Sequence, residues 1–381
     1  MDKNVVLAGY KRTPFHFAGK GALAGVRPDD LAAAAVMALL KQCGIDGADV
    51  EDLIMGCAFP EGEQGFNVAR LVVNMTGLPV SVGGVTVNRF CGSSMQSIHQ
   101  AAGAIAMGAG EAFICAGVES MSRIPMGGFN PLPNPALVKS FPQAYMGMGE
   151  TAENLARKYN ISREKQDAFA ARSQKKAADA RAAGKFKDEI APVTAPSGEI
   201  VSQDGCIRPE TTAEALAGLK PAFDAEGTVT AGTSSPLTDG ATAVLVTTGD
   251  FARAQGLPIL ARIRAIAVSG CAPEIMGMGP VGASRKALAR AGLTARDIDI
   301  VEINEAFASQ AIASLRELAL PEEKVNLDGG AIAIGHPLGA TGARITGKAA
   351  ALLRREGGRF ALATQCIGGG QGIATVLEAV S

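Results

Sequence analysis

The chain of 381 residues lacks the features that mark several classes of protein. It contains no tryptophan, only three histidines and 4% aromatic residues, and its formal net charge is −1. A charge this close to neutral gives no electrostatic reason to expect binding to nucleic acid or to an anionic membrane surface. The N-terminal MDKNVVLAGYKRTP has no apolar signal core, and the C-terminal LEAVS carries no obvious address. These absences predict a cytoplasmic protein with no nucleic-acid partner.

Disulfide, metal and membrane patterns are missing as well. The chain has an odd number of cysteines with no C-x-x-C pair, namely Cys43, Cys57, Cys91, Cys115, Cys206, Cys271 and Cys366. This argues against a disulfide framework or a zinc site and favours a reducing compartment. The least charged stretch, 101–118, contains Glu111 and several glycines. We expect it to form the end of a helix and a buried strand, not a membrane span.

Composition and repetition indicate the architecture. Hydrophobic residues make up 47% of the chain and charged residues 19%, which predicts a compact protein of about two domains. LLKQCGIDGADVEDLIMG (39–56) matches LARAGLTARDIDIVEINE (288–305), with Gly44 and Gly292 aligned 248 residues apart. The same shift places EAFICAGV on RFALATQC. Each unit reads as a helix ended by glycine, a short strand, a small-residue helix and a buried strand. The pattern predicts a duplicated α/β unit.

A long segment, from residue 119 to about 249, has no counterpart in the repeat. It opens with a loop rich in proline and glycine and then becomes basic, with ten Lys or Arg against five Asp or Glu between residues 157 and 190. A solvated helical face would have this composition, and so would a lid that meets an anionic ligand.

Cys91 lies between the apolar run VTV and the small-residue stretch GSSMQSIHQAAGAIAMG, which predicts a buried helix up to about Gly108. A thiol at the start of a helix faces free N–H groups and the positive end of the helix dipole, which stabilise a thiolate. A buried structural cysteine is the other interpretation. The strand-to-helix turn favours a nucleophile if a base is available.

Each of the three histidines is a candidate for the base that Cys91 would need. His99 lies eight residues after Cys91, roughly 12 Å along a helix, and is expected to be a packed or surface residue. His16 lies in an N-terminal loop with no partner visible in the sequence. His336 lies in the glycine-rich GGAIAIGHPLGATGARI, and the repeat aligns it with Asn88, three residues before Cys91. If the two units pack about a pseudo-twofold axis, both loops face one cleft, which favours His336.

Two further positions carry polar chemistry. Cys366 closes the last strand of the second unit and is followed by Gly368, Gly369, Gly370 and Gly372, which suit a loop whose N–H groups point at a ligand oxygen. A buried strand cysteine is the alternative. Asn304 begins NEAFA, where we expect a helix to start; it is either an N-cap or a polar group aimed into the cleft.

Other functional classes fit less well. GHPLGATG is a glycine-rich turn, but a dinucleotide-binding turn requires G-x-G-x-x-G and an acidic residue about twenty positions later. The glycines here are spaced G-x-x-x-G-x-x-G, and KAALLRREGG brings bases first. A non-catalytic acyl-carrier or lipid-binding module would not need two cysteines and a histidine in glycine-rich loops.

Four motifs, NRFCGSSMQ, NEAFA, GGAIAIGHPLGATGARI and CIGGGQGIA, resemble those of the thiolases, acyl-CoA acyltransferases that make or cleave 3-oxoacyl-CoA. The resemblance covers essentially the whole chain, including the unmatched segment. It implies an α/β thiolase fold with two duplicated halves in an α-β-α-β-α layered arrangement and an inserted loop domain. The N-terminal domain would span 1–249, with a core of 1–118 and an inserted loop domain of 119–249. The C-terminal domain would span 257–381.

The resemblance also implies a role for each candidate residue. Cys91 would be the nucleophile that carries the acyl group as a thioester, and His336 would accept its proton and help to polarise the substrate carbonyl. Cys366 would move the proton of the acetyl methyl group. Asn304 would hold a water that forms one oxyanion site with His336. The backbone N–H groups of Cys91 and Gly368 would form the other.

The ligand implied by the resemblance is coenzyme A, as a substrate, with no tightly bound cofactor and no metal. The residues expected to line its site are Arg208, Phe223, Ala231 and Ser235, with Met148, Met276 and Phe307 near its thioester end. A homodimer or homotetramer is expected, and a hydratase/dehydrogenase partner is compatible with the family.

One departure from the family pattern bears on the direction of the reaction. Biosynthetic enzymes of the family typically carry a histidine just before MG-x-T-A-E-N, where this chain has Gly147. CGSSMQ and QGIATVLE also resemble the degradative thiolases. We therefore expect thiolysis of 3-oxoacyl-CoA by coenzyme A, as in fatty acid β-oxidation, through an acyl-cysteine intermediate in a ping-pong reaction. Synthesis of acetoacetyl-CoA from two acetyl-CoA is the alternative.

Overall fold

A computed structural model describes residues 4–380. The strands are β1 Val5–Arg12, β2 His16–Phe17, β3 Asp52–Gly56, β4 Gly83–Val87, β5 Ala112–Ser120, β6 Val193–Thr194, β7 Ile200–Val201, β8 Thr238–Thr248, β9 Ala261–Gly270, β10 Ile300–Ile303, β11 Phe360–Ile367 and β12 Gln371–Glu378. The helices are α1 Pro28–Cys43, α2 Val68–Met75, α3 Ser93–Met107, α4 Pro135–Ser140, α5 Met148–Lys158, α6 Arg163–Ala182, α7 Ala213–Ala217, α8 Gly249–Ala254, α9 Gly279–Ala291, α10 Ala308–Leu318, α11 Ala331–Ile334 and α12 Leu338–Glu356.

The predicted helix ends are confirmed by the backbone. Helices α1 and α9 both end in a glycine with left-handed geometry, Gly44 at φ 67° and Gly292 at φ 70°. Helix α3 ends in the same way at Gly108, with φ 82°. A residue without a Cβ adopts this conformation without steric cost, so the glycines stop the helices where the sequence predicted.

A ten-stranded sheet forms the centre of the molecule. Nine strands lie in the order β10-β11-β12-β9-β1-β8-β5-β3-β4, and β2 pairs with β8 off this path. In the N-terminal half, β3 runs parallel to β4 and β5, while β8 is antiparallel to β5 and β1. In the C-terminal half, β10 and β11 are parallel, while β12 is antiparallel to β11 and β9. The strand order of one half is thus repeated in the other, and the halves join where β1 pairs with β9.

Helices cover the sheet in layers. Helices α1 and α2 pack on the N-terminal strands, and α9 packs on β9, β11 and β12. Helices α3 and α12 pack against each other, and α12 contacts strands of both halves. Three large clusters of buried apolar side chains correspond to this arrangement, one under α1 and α2, one under α9 and α10, and one around α3 and α12. The central helix pair is therefore enclosed by both halves of the sheet.

The long segment without a repeat counterpart is largely an excursion from the sheet, carrying α4 to α7 and the two-stranded sheet of β6 and β7. Its last part, however, is β8, which lies in the large sheet between β1 and β5. Strand β12 occupies the equivalent place in the C-terminal half. Within residues 4–380, no helix is both long enough and apolar enough to cross a membrane.

Buried ion pairs fasten the excursion to the core. Both guanidinium Nη atoms of Arg12 on β1 contact the carboxylate of Asp204, at 2.6 and 2.8 Å. Lys348 on α12 lies 2.8 Å from the carboxylate of Glu189 and 2.7 Å from that of Asp328. Buried charges of opposite sign satisfy each other here. The excursion is thereby held to β1 and to the central helix.

Candidate active site

Cys91 lies in a tight turn between β4 and α3. Phe90, just before it, has a positive φ of 43°, which is unusual for a bulky residue. Its N–H donates to Asn88 Oδ1 at 2.8 Å, and its carbonyl accepts a hydrogen bond from Ser93 Oγ at 2.6 Å. These bonds hold a strained turn that presents the thiol at the start of α3, as predicted. Strain of this kind persists only where the surroundings fix it, and it is common at functional sites.

The N–H groups at the helix start favour a Cys91 thiolate, as expected, but burial of the thiol outweighs them. Burial raises the pKa of the Cys91 thiol to about 11. The N–H groups of Gly368 and of Cys91 itself donate to the sulfur and pull this pKa down by less, while the carboxylate of Glu119 raises it further. Desolvation by the surrounding protein therefore outweighs the helix end. Cys91 therefore rests as a thiol, and its ionisation requires a base.

His336 lies in the loop between α11 and α12 and is buried. Gly335 before it has φ 111°, and the His336 N–H donates to Thr238 Oγ1 at 3.0 Å. The ring Nδ1 lies 2.6 Å from Thr341 Oγ1, and Nε2 lies 3.3 Å from Asn304 Nδ2. Burial, helped by the charge of Arg344, lowers the pKa of His336 to about 3. The imidazole is therefore neutral and able to accept a proton.

Asn304 is a polar group of this site and not an N-cap. Helix α10 begins only at Ala308, with Phe307 as its N-cap, so the expected helix start at Asn304 is wrong. The Asn304 side chain is fully buried, with Nδ2 toward the His336 ring. Its Oδ1 has no hydrogen-bond partner among the described residues. A buried amide with one free acceptor fits the role of holding a water, as the resemblance implies.

Glycines bring the loops that carry Cys91 and His336 together. A Cβ on Gly117 would lie 2.2 Å from the carbonyl oxygen of Gly339, and one on Gly342 would lie 2.3 Å from the backbone nitrogen of Met95. One on Gly56 would lie 2.3 Å from the nitrogen of Ser94. Backbone therefore touches backbone between β3, β5, α3 and α12. The glycine-rich sequence around His336 serves this close approach of the two helices.

Glu119 joins the same loops through hydrogen bonds. Its buried carboxylate accepts from the N–H of Ala58 at 2.8 Å, from Gln64 Nε2 at 2.8 Å, and from the N–H of Gly339 at 2.9 Å. Gly339 is the second residue of α12, and Ala58 accepts a bond from the Asn88 side chain at 2.9 Å. One carboxylate thus links the start of α12 to the turn that carries Cys91.

Cys366 is the last residue but one of β11 and lies next to Cys91. Burial first, and then the neighbouring Cys91, raises the pKa of the Cys366 thiol well above its usual range. Its neighbour Gln365 donates from Nε2 to the Cys91 carbonyl. Of the following glycines, Gly368 points its N–H at the Cys91 sulfur, while a Cβ on Gly372 would lie 1.9 Å from a backbone oxygen. The N–H of Gly368 therefore acts on the Cys91 thiol, and Gly372 is needed for close packing.

An apolar cluster lies around Cys366. It contains Met276 and Phe307, with Met148 partly buried against it. The ring of Phe223 meets that of Phe307 edge-on at 5.8 Å between centroids. The Ser235 N–H donates to the Ala306 carbonyl, and Ala231 lies in a short 3₁₀ turn, Ala231–Thr233, nearby in sequence. The structure therefore groups the three residues expected near the thioester end, with Phe223 beside them.

Arg208, the other residue expected to bind coenzyme A, is not part of this apolar cluster. Its guanidinium carbon lies 5.8 Å from the centroid of the Phe17 ring, and its Nη2 is buried without a hydrogen-bond partner among the described residues.

The remaining histidines are structural. His16 on β2 lies with Nε2 2.9 Å from the Gln203 carbonyl, and buried His99 lies 2.9 Å from Thr375 Oγ1. His99 is thus a packed residue.

Sequence reasoning missed three residues of this site: Thr341, Glu119 and Gln365. Thr341 carried a signal, because it is a hydroxyl residue five positions after His336 in a run of glycine and alanine. Glu119 was visible as a charge directly after the fully apolar run AFICAGV, and it lies near the end of β5. Gln365 carried no signal that distinguishes it from other strand residues.

Comparison with known proteins covers the whole chain. The family models described as "Thiolase, N-terminal domain" and "Thiolase, C-terminal domain" match residues 5–250 and 257–379. The 3-ketoacyl-CoA thiolase of Bacillus subtilis is 50% identical over 388 residues, with 99% of each chain covered. That of Shewanella denitrificans is 50% identical over 387 residues, with 99% of this chain and 100% of the relative covered.

Solved structures similar to this chain are also thiolases. The crystal structure of human mitochondrial 3-ketoacyl-CoA thiolase is 40% identical, with a TM-score of 0.91 and coverage of 100% of this chain and 99% of that one. The same enzyme in complex with CoA is also 40% identical, with a TM-score of 0.91 and coverage of 99% and 98%.

Proposed function

Because the chain belongs to the thiolase family, we propose that Cys91, His336 and Cys366 carry out the thiolysis of 3-oxoacyl-CoA by coenzyme A. The family and fold expected from the four motifs are confirmed, and the protein is an acyltransferase of the 3-ketoacyl-CoA thiolase type. One observation above all supports the choice of these three residues, because it joins the two halves of the chain at Cys91. The side chain of Gln365, next to Cys366 in the C-terminal half, donates from Nε2 to the backbone carbonyl of Cys91 in the N-terminal half.

In the first half-reaction, the Cys91 sulfur attacks the 3-oxo carbon as its proton passes to His336 Nε2. The bond between C2 and C3 breaks, which leaves the shortened acyl group on Cys91 and acetyl-CoA as its enolate. The thiol of Cys366 protonates the enolate carbon, and acetyl-CoA leaves. A thiol with a raised pKa is a suitable acid for a carbanion-like centre, because it holds its proton until strong negative charge appears.

In the second half-reaction, coenzyme A gives its thiol proton to the Cys366 thiolate and attacks the acyl-Cys91 carbonyl. The Cys91 thiolate leaves and takes back the proton from His336, which restores both thiols. The N–H groups of Gly368 and Cys91 already point at the Cys91 sulfur, so they suit the oxyanion of an acyl group bound there. His336, once protonated, and a water on Asn304 suit the other oxyanion. The same groups run the reverse condensation.

The test of this proposal is replacement of the nucleophile. Cys91→Ala should reduce thiolysis to trace levels, because no acyl-enzyme can form, and Cys91→Ser controls for the volume of the side chain. Acylation is followed by the mass of the intact protein after mixing with acyl-CoA. If Cys91→Ala retains more than trace thiolysis, the assignment is wrong. Comparison of kcat/KM for acetoacetyl-CoA, 3-oxooctanoyl-CoA and 3-oxohexadecanoyl-CoA then defines the chain-length preference.

We also propose that Phe223, Ala231, Ser235, Met148, Met276 and Phe307, together with Arg208, bind coenzyme A. The relative solved with CoA supports coenzyme A as the ligand. The apolar cluster suits the pantetheine and thioester end, while the half-buried guanidinium of Arg208 suits a phosphate. Arg208→Ala should then raise KM for coenzyme A far more than it lowers kcat.

We also propose that copies of this chain associate through one edge of the large sheet. Strand β4 is an edge strand with exposed apolar neighbours: Phe66 is 93% exposed, Val80 81%, and Phe90 39%. An unpaired edge next to apolar side chains is a surface for a second copy. A dimer, or a dimer of such dimers, should be seen by light scattering, and Phe66→Glu should weaken it. A hydratase/dehydrogenase partner stays a prediction that co-purification can test.

The domain division and location are proposals as well. The internal repeat and the ranges of the two family models support domains of 1–249 and 257–381, with an inserted segment in the first. The seven cysteines are free thiols, which supports the reducing cytoplasm as the location.

A further inference from the structure

The partner of the His336 ring on its inner side is a hydroxyl group. Thr341 lies in the first turn of α12, is 1% exposed, and places Oγ1 2.6 Å from His336 Nδ1. The same oxygen lies 3.1 Å from the carbonyl of Pro337, one helical turn earlier. A hydroxyl has one proton to donate and two lone pairs with which to accept. The Thr341 proton can therefore go to the Pro337 carbonyl or to the ring, but not to both.

The other side of the ring decides between these arrangements. The amide nitrogen of Asn304 lies 3.3 Å from Nε2, and an amide NH₂ can only donate. Nε2 must then present its lone pair, and the ring proton must be on Nδ1. Nδ1 donates to Thr341 Oγ1, so the hydroxyl proton goes to the Pro337 carbonyl. Each of these four polar groups has a role that fits its partner.

We propose that Thr341 is the positioning residue that keeps the proton of neutral His336 on Nδ1 and so leaves Nε2 as the only basic atom. This inference rests on the proposed function of His336 as the base for Cys91. Nδ1 faces the buried start of α12, so a ring with its proton on Nε2 would have its lone pair turned away from the cleft. Such a ring could not take the Cys91 proton.

A hydroxyl partner also differs from the carboxylate that orients many catalytic histidines. It fixes the ring without adding negative charge, so the protonated ring is not held as a stable ion pair. When Nε2 has received the thiol proton, Nδ1–H stays on Thr341, and Nε2–H turns into a donor for the substrate carbonyl. One nitrogen therefore both removes the proton and returns it.

The test uses variants that separate the hydroxyl from its volume. Thr341→Val keeps the shape and removes the hydroxyl, and it should lower kcat about 10- to 100-fold with little change in KM, the range typical for loss of a partner that orients a histidine. Thr341→Ser keeps the hydroxyl and should restore kcat to within about threefold of the parent.

Thr346 supplies the matched control. It lies on the same helix, is fully buried, and makes the same kind of bond, from Oγ1 to the Gly342 carbonyl at 2.7 Å, without touching the histidine. Thr346→Val should keep the parent kcat. If Thr341→Val behaves like Thr346→Val while His336→Ala is inactive, the positioning role is refuted and the proposed function stands. If His336→Ala keeps full activity, the proposed function itself falls.

Nitrogen NMR of ¹⁵N-histidine-labelled protein reads the proton position directly. The His336 signals, identified by their loss in His336→Ala, should show a protonated Nδ1 and a bare Nε2. His16 is an internal reference of opposite polarity, because its Nδ1 accepts from the Ala22 N–H at 3.3 Å and its Nε2 donates to the Gln203 carbonyl. A bare Nδ1 on His336 in the parent protein would refute the proposal.

Discussion

Alkylation of Cys91 by iodoacetamide should become about tenfold faster with each unit of pH between about pH 6 and 9. The reason is that only the thiolate reacts, and the pKa of this thiol is raised to about 11 by burial. At pH 7 roughly one molecule in 10⁴ then carries the thiolate. An active-site cysteine is thus expected to react slowly with a simple alkylating agent, despite its position at the start of a helix.

The histidine does not change this expectation. A preformed thiolate–imidazolium pair requires the pKa of the histidine to exceed that of the thiol. The order here is reversed, with the pKa of His336 lowered to about 3 and that of Cys91 raised to about 11. The fraction of ion pair is then far below that of the free thiolate at neutral pH, so no plateau should appear in the alkylation rate.

Acylation by substrate should behave differently. In the proposed mechanism the neutral His336 takes the proton during the attack, so the free thiolate is not required. Since His336 stays neutral at every pH above its lowered pKa, kcat/KM for acylation should be nearly constant between about pH 5 and 9. The contrast between the two profiles measures how much the reaction depends on the base.

The assay counts the peptide that carries Cys91 by mass spectrometry after alkylation for set times. Cys43 is the internal control, because it is also half-buried and burial raises its pKa to about 11 as well. Both cysteines should show the same slope. A Cys91 rate that is constant from pH 5 to 8, beside a sloping Cys43, would refute the neutral resting pair and indicate a preformed thiolate.

Further predictions concern the second thiol, the glycine contacts and the buried ions. Cys366→Ser should still form the acyl-enzyme at Cys91 from a saturated acyl-CoA, but should lose exchange of the acetyl methyl protons with D₂O, as followed by NMR; failure to acylate would mean that the roles of the two thiols are wrongly divided. Gly117→Ala should lower the melting temperature by several degrees, because its Cβ would lie 2.2 Å from a backbone oxygen, with a cost of about 1–3 kcal/mol or more. Gly103→Ala, in an exposed part of α3 with no atom within 4 Å, should instead stabilise by about 0.5–1 kcal/mol, and equal effects of the two changes would contradict the packing argument. Although burial opposes it, bonds from lysine and arginine side chains lower the pKa of Asp328 to about 2. Asp328→Asn should thus cost about 2 kcal/mol at pH 7, and this loss should shrink as the pH falls from about 4 towards 2; a loss that does not depend on pH would point to packing instead.

Much of the fold could be predicted because its signals are local or repeated. The glycine ends of α1, α3 and α9 follow from the preference of glycine for left-handed geometry. The constant shift of 248 residues aligned β3 with β10 and β5 with β11. The pairing of β1 with β9 and the insertion of β8 between β1 and β5 could not be predicted, because pairing of distant strands depends on the packing of the whole chain.

The candidate site, too, could be predicted where its signals are local or repeated, and not where they depend on the whole fold. The turn at Cys91 and its counterpart at His336 were predicted from short motifs and the repeat. The pKa of Cys91 was not, since the helix start is a local feature whereas desolvation depends on which segments close over the thiol. Asn304 illustrates the limit, because an N-cap and a cleft residue look alike until the first residue of the helix is known. The roles of these residues are still predictions.

The proposed nucleophile and its proposed partners come from different halves of the chain, which has a consequence during synthesis. The turn with Cys91 is complete long before the segments with His336, Cys366 and Gly368 have been made. An unfinished chain then carries only a thiol without a base, an acid or the C-terminal oxyanion donor. With the proposed roles, such a chain should not take an acyl group from the cellular pool and hold it as a dead-end thioester. The proposed site would thus become able to react only when the chain and its fold are complete.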